Sequence, residues 1–361
     1  MELLSVTMND GVKPRSEIEG KDNSSEDKSN YKIVRKGDMV YNSMRMWQGA
    51  NGISPCDGIV SPAYTVLMPK QEINNGYFAA LFKSVTLINE FRKNSQGMTS
   101  DTWNLKYPQI ETIKVQIPSV SEQDKVSELF SVLDERIATQ AQLVESLKKY
   151  KRGLLRTVFS EKGSHSLLHD AVSHRIDEVC DVLSGKRIPK GETFSPRPTE
   201  YRYITVSDMG EKYVSSDTLQ FITSHTEKQI TRYKVRNGDI IISVAGTLGK
   251  LNIITPDLDG VNLTENCDRF TNFRGINSEY LYHVLSSDLI QSQIEASKTK
   301  NGQPKLALER IRNFVVPVPH QIRQEQFVGV MNSIDKYIAS QQAVLDRCCK
   351  ARAGLQQQLF I

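Results

Sequence analysis

Residues 118–160 read PSVSEQDKVSELFSVLDERIATQAQLVESLKKYKRGLLRTVFS, and residues 319–361 read PHQIRQEQFVGVMNSIDKYIASQQAVLDRCCKARAGLQQQLFI. The two stretches align without a gap at an offset of 201 residues, with Gln123 on Gln324 and Asp134 on Asp335. The same offset relates VRKGD at 34–38 to VRNGD at 235–239. The chain therefore consists of two related units whose frames agree while the residues between have diverged, which is typical of a common scaffold that presents different recognition surfaces.

Both stretches carry apolar residues at alternating steps of four and three, which is the seam of a coiled coil. The first seam is Val126, Phe130, Leu133, Ile137, Gln140, Val144, Leu147, Lys151, Leu154 and Val158, and the second is Phe327, Met331, Ile334, Ile338, Gln341, Leu345, Cys348, Arg352, Leu355 and Leu359. We predict that the two helices pack on each other in antiparallel fashion, with a globular domain at each end of a rod of roughly 60 Å, from about 1.5 Å per residue. The alternative is that each helix covers only its own domain.

Strand-like runs between turn signals open each globular stretch, and helix-like runs follow. Strands are predicted at 31–34, 39–41, 59–60, 64–67, 203–206 and 240–244, and helices at 77–85, 279–286 and 289–296. The polar stretch 8–30 is predicted to be a long loop, and 160–174 a linker. The predicted fold is α+β in four parts: a globular domain at 1–117, a coiled-coil helix at 118–160, a second globular domain at 161–318 and a second coiled-coil helix at 319–361.

The charge balance does not by itself indicate a nucleic-acid partner. The net charge is +4, residues 1–117 hold 14 basic and 13 acidic side chains, and residues 161–319 hold 20 of each. A protein that grips DNA alone shows a stronger basic footprint. If the chain binds DNA, we expect partners to supply much of the contact with phosphates. The sequence has no run of 18 apolar residues and no secretory signal, so no membrane partner is expected. Five cysteines without metal spacing favour a reducing cytoplasm.

Two diverged units, each with a Gly-Asp turn and a Pro-led helix that carries a glutamine near its start, resemble the specificity subunits of type I restriction–modification systems. YNSMRMWQG at 41–49 with GIVSPAY at 58–64 resembles one class of their target-recognition domain, and SGKRIPK at 184–190 with YITVSD at 203–208 resembles the opening of another. The resemblance covers essentially the whole chain. It implies that each domain reads one half of a split target in double-stranded DNA and that the chain is not itself an enzyme.

The resemblance also implies the partners. Two methyltransferase subunits would dock on the helices and methylate adenine N6 with S-adenosylmethionine, and translocating nuclease subunits that use ATP and Mg would cleave unmethylated DNA. No cofactor would bind to this chain. The repeat departs from the family pattern in the first unit, where nothing matches residues 161–200. We expect the first domain to lack its opening strands, as in a truncated product, a mis-assigned start or a remnant that needs complementation.

Base edges are read by arginine, asparagine and glutamine. We predict such contacts in two loops of each unit, with solvated loops as the alternative. The candidates are Arg45, Trp47, Gln48, Asn51, Arg92, Lys93, Asn94 and Gln96 in the first unit, and Thr247, Lys250, Asn252, Lys298, Lys300, Asn301, Gln303 and Lys305 in the second. A basic run at 148–156 could meet phosphates or an acidic partner, or could be a solvated helix end.

Enzyme interpretations do not fit the residues. Residues 246–250 resemble part of a phosphate-binding loop, but the glycine spacing is wrong and Leu251 stands where serine or threonine is required. His165 and His169 have zinc-like spacing without a third ligand. No methyltransferase motif or nuclease carboxylate cluster is present. The alternatives that remain open are a silent truncated remnant and a coiled-coil adaptor that binds only protein.

Overall fold

The computed structural model describes residues 1–8, 11–20, 22, 24–160, 166–296 and 305–360. They form two compact units: unit 1 comprises Met1–Val144 and Ser340–Ile361, and unit 2 comprises Glu145–Ala339. This division differs from the four parts predicted from the sequence, because each long helix contributes one of its halves to each unit.

Unit 1 is built on two small sheets. Its strands are β1 (Glu2–Thr7), β2 (Gly11–Pro14), β3 (Lys32–Val34), β4 (Met39–Asn42), β5 (Asn51–Ile53), β6 (Gly58–Val60) and β7 (Tyr64–Leu67). One sheet has the order β2-β1-β6-β3, with β1 and β6 parallel, and the other has the order β5-β4-β7. The prediction of one long loop over 8–30 is wrong at its start, because Val12 is buried and pairs with Val6 in a hairpin.

The helices of unit 1 are α1 (Asn75–Leu81), α2 (Val85–Asn94), α3 (Tyr107–Ile110) and the first part of α4 (Val120–Val158). The prediction of one helix at 77–85 is wrong. Ser84 is the N-cap of α2, since its side chain accepts a hydrogen bond from the Leu87 N–H, and helix α1 therefore ends before it. Consequently Arg92, Lys93 and Asn94 lie in the last turn of α2 and not in a loop.

Unit 2 has the same plan with more strands. They are β8 (Val172–Arg175), β9 (Asp181–Ser184), β10 (Tyr201–Ile204), β11 (Gln220–Ile222), β12 (Ile240–Ser243), β13 (Leu251–Ile253), β14 (Asn262–Leu263), β15 (Cys267–Thr271) and β16 (Val315–Val318). Its helices are α5 (Ile176–Val179), α6 (Ser224–Ile230), α7 (Ser278–Ser286), α8 (Asp288–Ala296), α9 (Leu308–Arg312) and α10 (Gln321–Leu359), which ends in unit 1. The sheets have the orders β13-β12-β15-β9, β11-β10-β14 and β16-β8.

The sequence repeat is a repeat of structure. Strands β4 and β7 pair with Met39 opposite Leu67, and β12 and β15 pair with Ile240 opposite Phe270 in the same register. Strand β1 pairs in parallel with β6, as β10 does with β14. The units differ at one place: β15 lies between β12 and β9, whereas β7 has β4 as its one strand partner among the described residues.

The Gly-Asp turn explains why one short motif is retained in both units. Gly37 and Gly238 have φ of +92° and +82°, a left-handed conformation that favours glycine. Each glycine N–H donates to a strand-end carbonyl at 2.9 Å. The carboxylates of Asp38 and Asp239 each accept from the backbone N–H three residues earlier, at 2.8 Å. The turn thus fixes the start of β4 and of β12, the central strands of their sheets.

Candidate DNA interface and helix pair

In unit 1, the first part of α4 packs against the last part of α10. The rings of Phe130 and Phe360 stack at 6.0 Å, and Arg352 forms an ion pair with Asp134, with one N–O distance of 3.0 Å. Further along α4, Gln140 contacts Gln341. Contacting residues have lower numbers on α10 as their partners have higher numbers on α4, so the two helices run antiparallel.

Unit 2 holds the corresponding pairing of the rest of α4 with the start of α10. Lys151 pairs with Asp335, and the rings of Phe159 and Phe327 lie 5.6 Å apart. Lys151 and Asp335 occupy the positions that Arg352 and Asp134 hold in the other repeat. The polar seam positions therefore form the same kind of cation–carboxylate pair in each unit, which the seam pattern alone did not reveal.

The seam residues face inward as predicted. Every seam position is buried or half-buried except Leu359, which is 44% exposed. The Gln140 amide Nε2 donates to both the side-chain oxygen and the backbone oxygen of Gln341, each at 3.0 Å. A half-buried amide pair of this kind favours one register, since any slip breaks its hydrogen bonds. The antiparallel coiled coil is confirmed, and the alternative of two helices that each cover only their own domain is wrong.

The glutamine near the start of each long helix joins that helix to the globular part of its unit. Gln324 is 1% exposed; its Oε1 accepts from the Asn277 N–H at 2.8 Å, and its Nε2 donates to the Pro319 carbonyl at 2.9 Å and the Gly275 carbonyl at 3.2 Å. Gln123, also 1% exposed, accepts a hydrogen bond from the Asn74 N–H and donates one to the carbonyl of Pro118, just before its helix. Asn74 and Asn277 are the N-caps of α1 and α7. The glutamine near the start of each long helix therefore has a structural role, because it ties that helix to the N-cap of α1 or α7.

In both units the end of the second predicted DNA-contacting loop is hydrogen-bonded beside the start of the first. The Leu105 N–H donates to the Ser43 carbonyl at 2.8 Å in unit 1, and the Leu306 N–H donates to the Val244 carbonyl at 2.9 Å in unit 2. The first loop of each pair starts at the end of the central strand, β4 or β12, and the second loop ends beside it. The site is the same in both repeats while the side chains differ.

The loop pair of unit 1 carries an aromatic and cationic surface. The rings of Trp47 and Trp103 meet edge to face at 5.2 Å, and the Arg92 guanidinium lies 5.9 Å from the Trp47 ring. Gln96 is exposed, and its backbone pairs with that of Asn104 to close a turn. Met98 lies in this turn and is 100% exposed. Trp103 was missed from the sequence, although an aromatic residue beside a polar loop is a sign of base or sugar contact.

The other candidates of unit 1 differ in their access to solvent. Arg45 and Gln48 are half-buried beside Trp47. Lys93 forms an ion pair with Glu90 at 2.7 Å, and the Asn94 amide donates to the Glu90 carbonyl at 2.8 Å. The prediction for Asn51 needs correction: it is fully buried in β5, and its amide donates to the Gly49 carbonyl at 3.1 Å. Its side chain stabilises the turn before β5 and is not presented at the surface.

The loop pair of unit 2 is described only in part. Thr247 and Lys305 are exposed, and the backbone of Lys305 pairs with that of Ala245. The Lys250 ammonium donates to the Met209 carbonyl. The prediction for Asn252 needs the same correction as that for Asn51. Asn252 is fully buried in β13, and its amide donates to the Gly210 carbonyl at 3.2 Å. Four candidates lie outside the described residues: Lys298, Lys300, Asn301 and Gln303.

Three titratable groups of unit 2, at its helix pair and in its core, have shifted pKa values. Burial raises the pKa of the Asp335 carboxyl, but the ammonium groups of Lys151 and Lys212 outweigh it and hold that pKa below its usual value. Burial, with the same two cations, lowers the pKa of His283 to about 3, so this imidazole is neutral at pH 7. Burial raises the thiol pKa of Cys180 to about 12, which makes it unreactive.

Within the residues that the structure describes, no three His, Cys, Asp or Glu side chains come together as metal ligands. None of the described helices is long and apolar enough to cross a membrane. The His165 of the zinc-like pair lies outside the described residues.

Comparison with known proteins agrees with this architecture. The specificity subunit of the type I restriction enzyme MjaVIII of Methanocaldococcus jannaschii is 23% identical over 347 residues, 91% of this chain and 79% of that protein. The EcoBI specificity subunit of Escherichia coli is 29% identical over 143 residues, 37% of this chain and 30% of that protein.

Solved structures share the fold. A chain from a study of complex assembly and conformational transition of the type I R-M system has a TM-score of 0.61 at 18% identity, covering 93% of this chain and 84% of that one. The type I S subunit from M. genitalium has a TM-score of 0.56 at 17% identity, covering 91% and 84%. The family model of the type I restriction modification DNA specificity domain matches residues 5–149 and 169–347, one match in each repeat. The chain therefore belongs to the type I restriction–modification DNA specificity family, whose members are non-catalytic specificity subunits.

Proposed function

We propose that this chain reads a DNA target in two parts, one with the loop pair of unit 1 and one with the loop pair of unit 2. The observation that carries the proposal is the equivalent position of the two loop pairs. In each pair the first loop begins at the end of the central strand, and an equivalent backbone hydrogen bond joins the end of the second loop to it, while the exposed side chains differ. A fixed frame with different surface residues suits two different half-sites.

The antiparallel helix pair would set the number of base pairs between the two halves of the target. The Gln140–Gln341 contact and the two cation–carboxylate pairs support this role, because they oppose a slip of one helix along the other. A change of one helical turn would alter the spacing by about 5.4 Å, which is between one and two base pairs of B-form DNA.

Catalysis would lie in partner subunits. Two methyltransferase subunits would methylate adenine N6 with S-adenosylmethionine, and translocating nuclease subunits would use ATP and Mg²⁺ to cleave unmethylated DNA. Exposed apolar side chains on the long helices support docking of partners there: Leu129 and Val132 are 41% and 57% exposed, and Val330 and Tyr337 are 53% and 51% exposed. The balanced charge of each globular stretch is consistent with partners that contribute phosphate contacts.

The assignment of one half-site to each unit is tested by variants with one loop pair altered at a time. Arg92→Ala removes an exposed guanidinium from unit 1, and Lys305→Ala removes an exposed ammonium from unit 2. Each variant is co-expressed with the methyltransferase subunit, and methylated adenines are mapped across a genome. Loss of one good base contact costs about 1–3 kcal/mol, or roughly 5- to 150-fold in preference at one position.

We expect Arg92→Ala to relax one half of the motif and Lys305→Ala to weaken methylation through the other half. Tyr107→Ala serves as the control, since Tyr107 is an exposed aromatic residue of unit 1 outside the loop pair. Relaxation of the same half by both loop variants, or an unchanged motif in both, would contradict the assignment.

A further inference from the structure

The second loop of unit 1, residues 95–104, differs in chemistry from its counterpart in unit 2. Its sequence SQGMTSDTWN has no lysine or arginine, and it presents Met98, which is 100% exposed. The stretch that corresponds to it in the repeat, residues 297–305, lies mostly outside the described residues. That stretch reads SKTKNGQPK, with three lysines and no methionine or aromatic residue. Loops at equivalent places are therefore apolar in unit 1 and cationic in unit 2.

The exposure of Met98 is set by a folded turn. Gln96 and Asn104 exchange two backbone hydrogen bonds, at 3.0 and 2.9 Å, which close the turn at its base. A Cβ atom on Gly97 would lie 2.6 Å from the Thr102 carbonyl oxygen. The two sides of the turn approach this closely only because residue 97 is glycine. Met98 follows directly, so the backbone fixes the place from which its side chain projects.

The 95–104 loop is held against the first loop of unit 1, residues 43–50. Leu105, which follows the loop, is fully buried, and its N–H donates to the Ser43 carbonyl at 2.8 Å. The Trp103 ring meets the Trp47 ring at 5.2 Å, and the indole N–H of Trp47 donates to the Met44 carbonyl at 3.1 Å. The tip of the 95–104 loop therefore belongs to the same surface as the candidate base-reading residues of unit 1.

The chemistry of the DNA grooves limits what an apolar side chain can contact there. Base edges present donors, acceptors and one apolar group, the C5-methyl group of thymine in the major groove. Guanine is read by arginine or lysine, and the 95–104 loop has neither. Insertion between bases is the other apolar contact, but unstacking one base step costs about as much as full burial of one methionine side chain returns. Contact with a thymine methyl group is therefore favoured.

We propose that Met98 is a specificity-determining residue of unit 1 and recognises a thymine by its C5-methyl group. The proposal rests on the proposed function, in which unit 1 contacts its half of the target through this loop pair. Cytosine has no methyl group and presents a polar amino group instead, so contact with Met98 discriminates between the two pyrimidines. The lysines at 297–305 suit guanine or phosphate, so the two units use different chemistry at equivalent places.

The test uses the complex of the full chain with the methyltransferase subunit and a DNA duplex that carries the target mapped from its methylation. Each thymine of the half assigned to unit 1 is replaced in turn by deoxyuridine, which removes only the methyl group. The dissociation constant is measured by fluorescence anisotropy at one salt concentration, because binding to DNA depends on salt. We expect one replacement to weaken binding about fourfold, which corresponds to about 0.8 kcal/mol for one buried methyl group.

Variants of the chain assign that methyl contact to Met98. Met98→Ala is expected to weaken binding of the unmodified duplex about fourfold and to abolish the further loss caused by deoxyuridine, since both changes remove the same contact. Met98→Leu keeps an apolar side chain and should keep the sensitivity to deoxyuridine. Met68→Ala is the matched control, because Met68 is an 80% exposed methionine of unit 1 outside the loop pair. It should show the full fourfold sensitivity.

Three results would overturn the proposal. They are a mapped half-site without thymine in either strand, equal sensitivity to deoxyuridine with and without Met98→Ala, and a complex that Met98→Ala dissociates in size-exclusion chromatography. In the last case Met98 would contact a partner protein. A chain that directs no methylation to a split motif would instead refute the proposed function. That failure is seen when the target is mapped, before any deoxyuridine duplex is made, so the two failures are distinguishable.

Discussion

Replacement of Gln324 by methionine is expected to loosen unit 2 from the start of α10. Methionine keeps the length and volume of the side chain but loses all three hydrogen bonds, with the Asn277 N–H and the carbonyls of Pro319 and Gly275. Gln324 is 1% exposed, so water cannot replace these partners without movement. A neutral hydrogen bond contributes about 1 kcal/mol, and a buried group left unpaired costs about 1–3 kcal/mol. We therefore expect a loss of roughly 2–4 kcal/mol in the free energy of unfolding of this region.

The loss is measured by hydrogen exchange of α7 in the full chain as a function of urea, because a chain of two units need not unfold in one step. Gln123→Met removes two bonds in unit 1, so a smaller loss of about 1–3 kcal/mol is expected at α1. Gln321→Met is the control, since Gln321 is exposed in the first turn of the same helix. Losses at Gln324→Met and Gln123→Met no greater than that of the control would refute the structural role of the motif.

Three further predictions concern the polar groups of the helix pair and the core beside it. Gln140→Leu is expected to lower the melting temperature, and adding Gln341→Leu to restore it, because the single change removes the donor to the side-chain oxygen of the half-buried Gln341; additive losses would contradict this. Lys151→Met is expected to cost about 1–3 kcal/mol at pH 7 in urea unfolding. The cost should begin to shrink as the pH falls below the usual carboxyl pKa, and it should vanish only below the lowered pKa of Asp335, where the folded carboxyl gains its proton; a cost independent of pH would count against the pair. His283, whose pKa is lowered to about 3 by burial and nearby cations, binds its proton more readily in the unfolded chain, so stability should fall as the pH drops below about 6.5. His283→Phe should remove about 2 kcal/mol of that loss at pH 5, and an unchanged pH profile would refute the assignment.

The helix pair could be predicted from the sequence because its signal is local and periodic. A seam repeated every seven residues requires a partner helix, and matched polar positions indicated which helix that partner is. The contacts that fix the pair could not be predicted, since Lys151 and Asp335 are 184 residues apart. The role of Gln123 was also hidden, because its partner Asn74 lies 49 residues upstream.

The candidate DNA interface was predicted less completely, for a different reason. Residue type indicates what a side chain can bind but not whether the fold presents it. Asn51 and Asn252 are suited to reading adenine, yet both are buried where a turn carbonyl accepts their amides. Trp103 was missed because its contact with Trp47 joins two loops that are distant in the sequence. The pairing of the two loops, by contrast, follows from the repeat.

The central claim is that this chain directs a type I complex to a two-part DNA target. The most direct measurement is co-expression of the chain with the methyltransferase subunit of its own system, followed by single-molecule sequencing of methylated DNA. The account predicts N6-methyladenine at one split motif with two different halves and a fixed gap. A stable complex that leaves the DNA unmethylated, or methylation at a repeated single half-motif, would contradict recognition by both units.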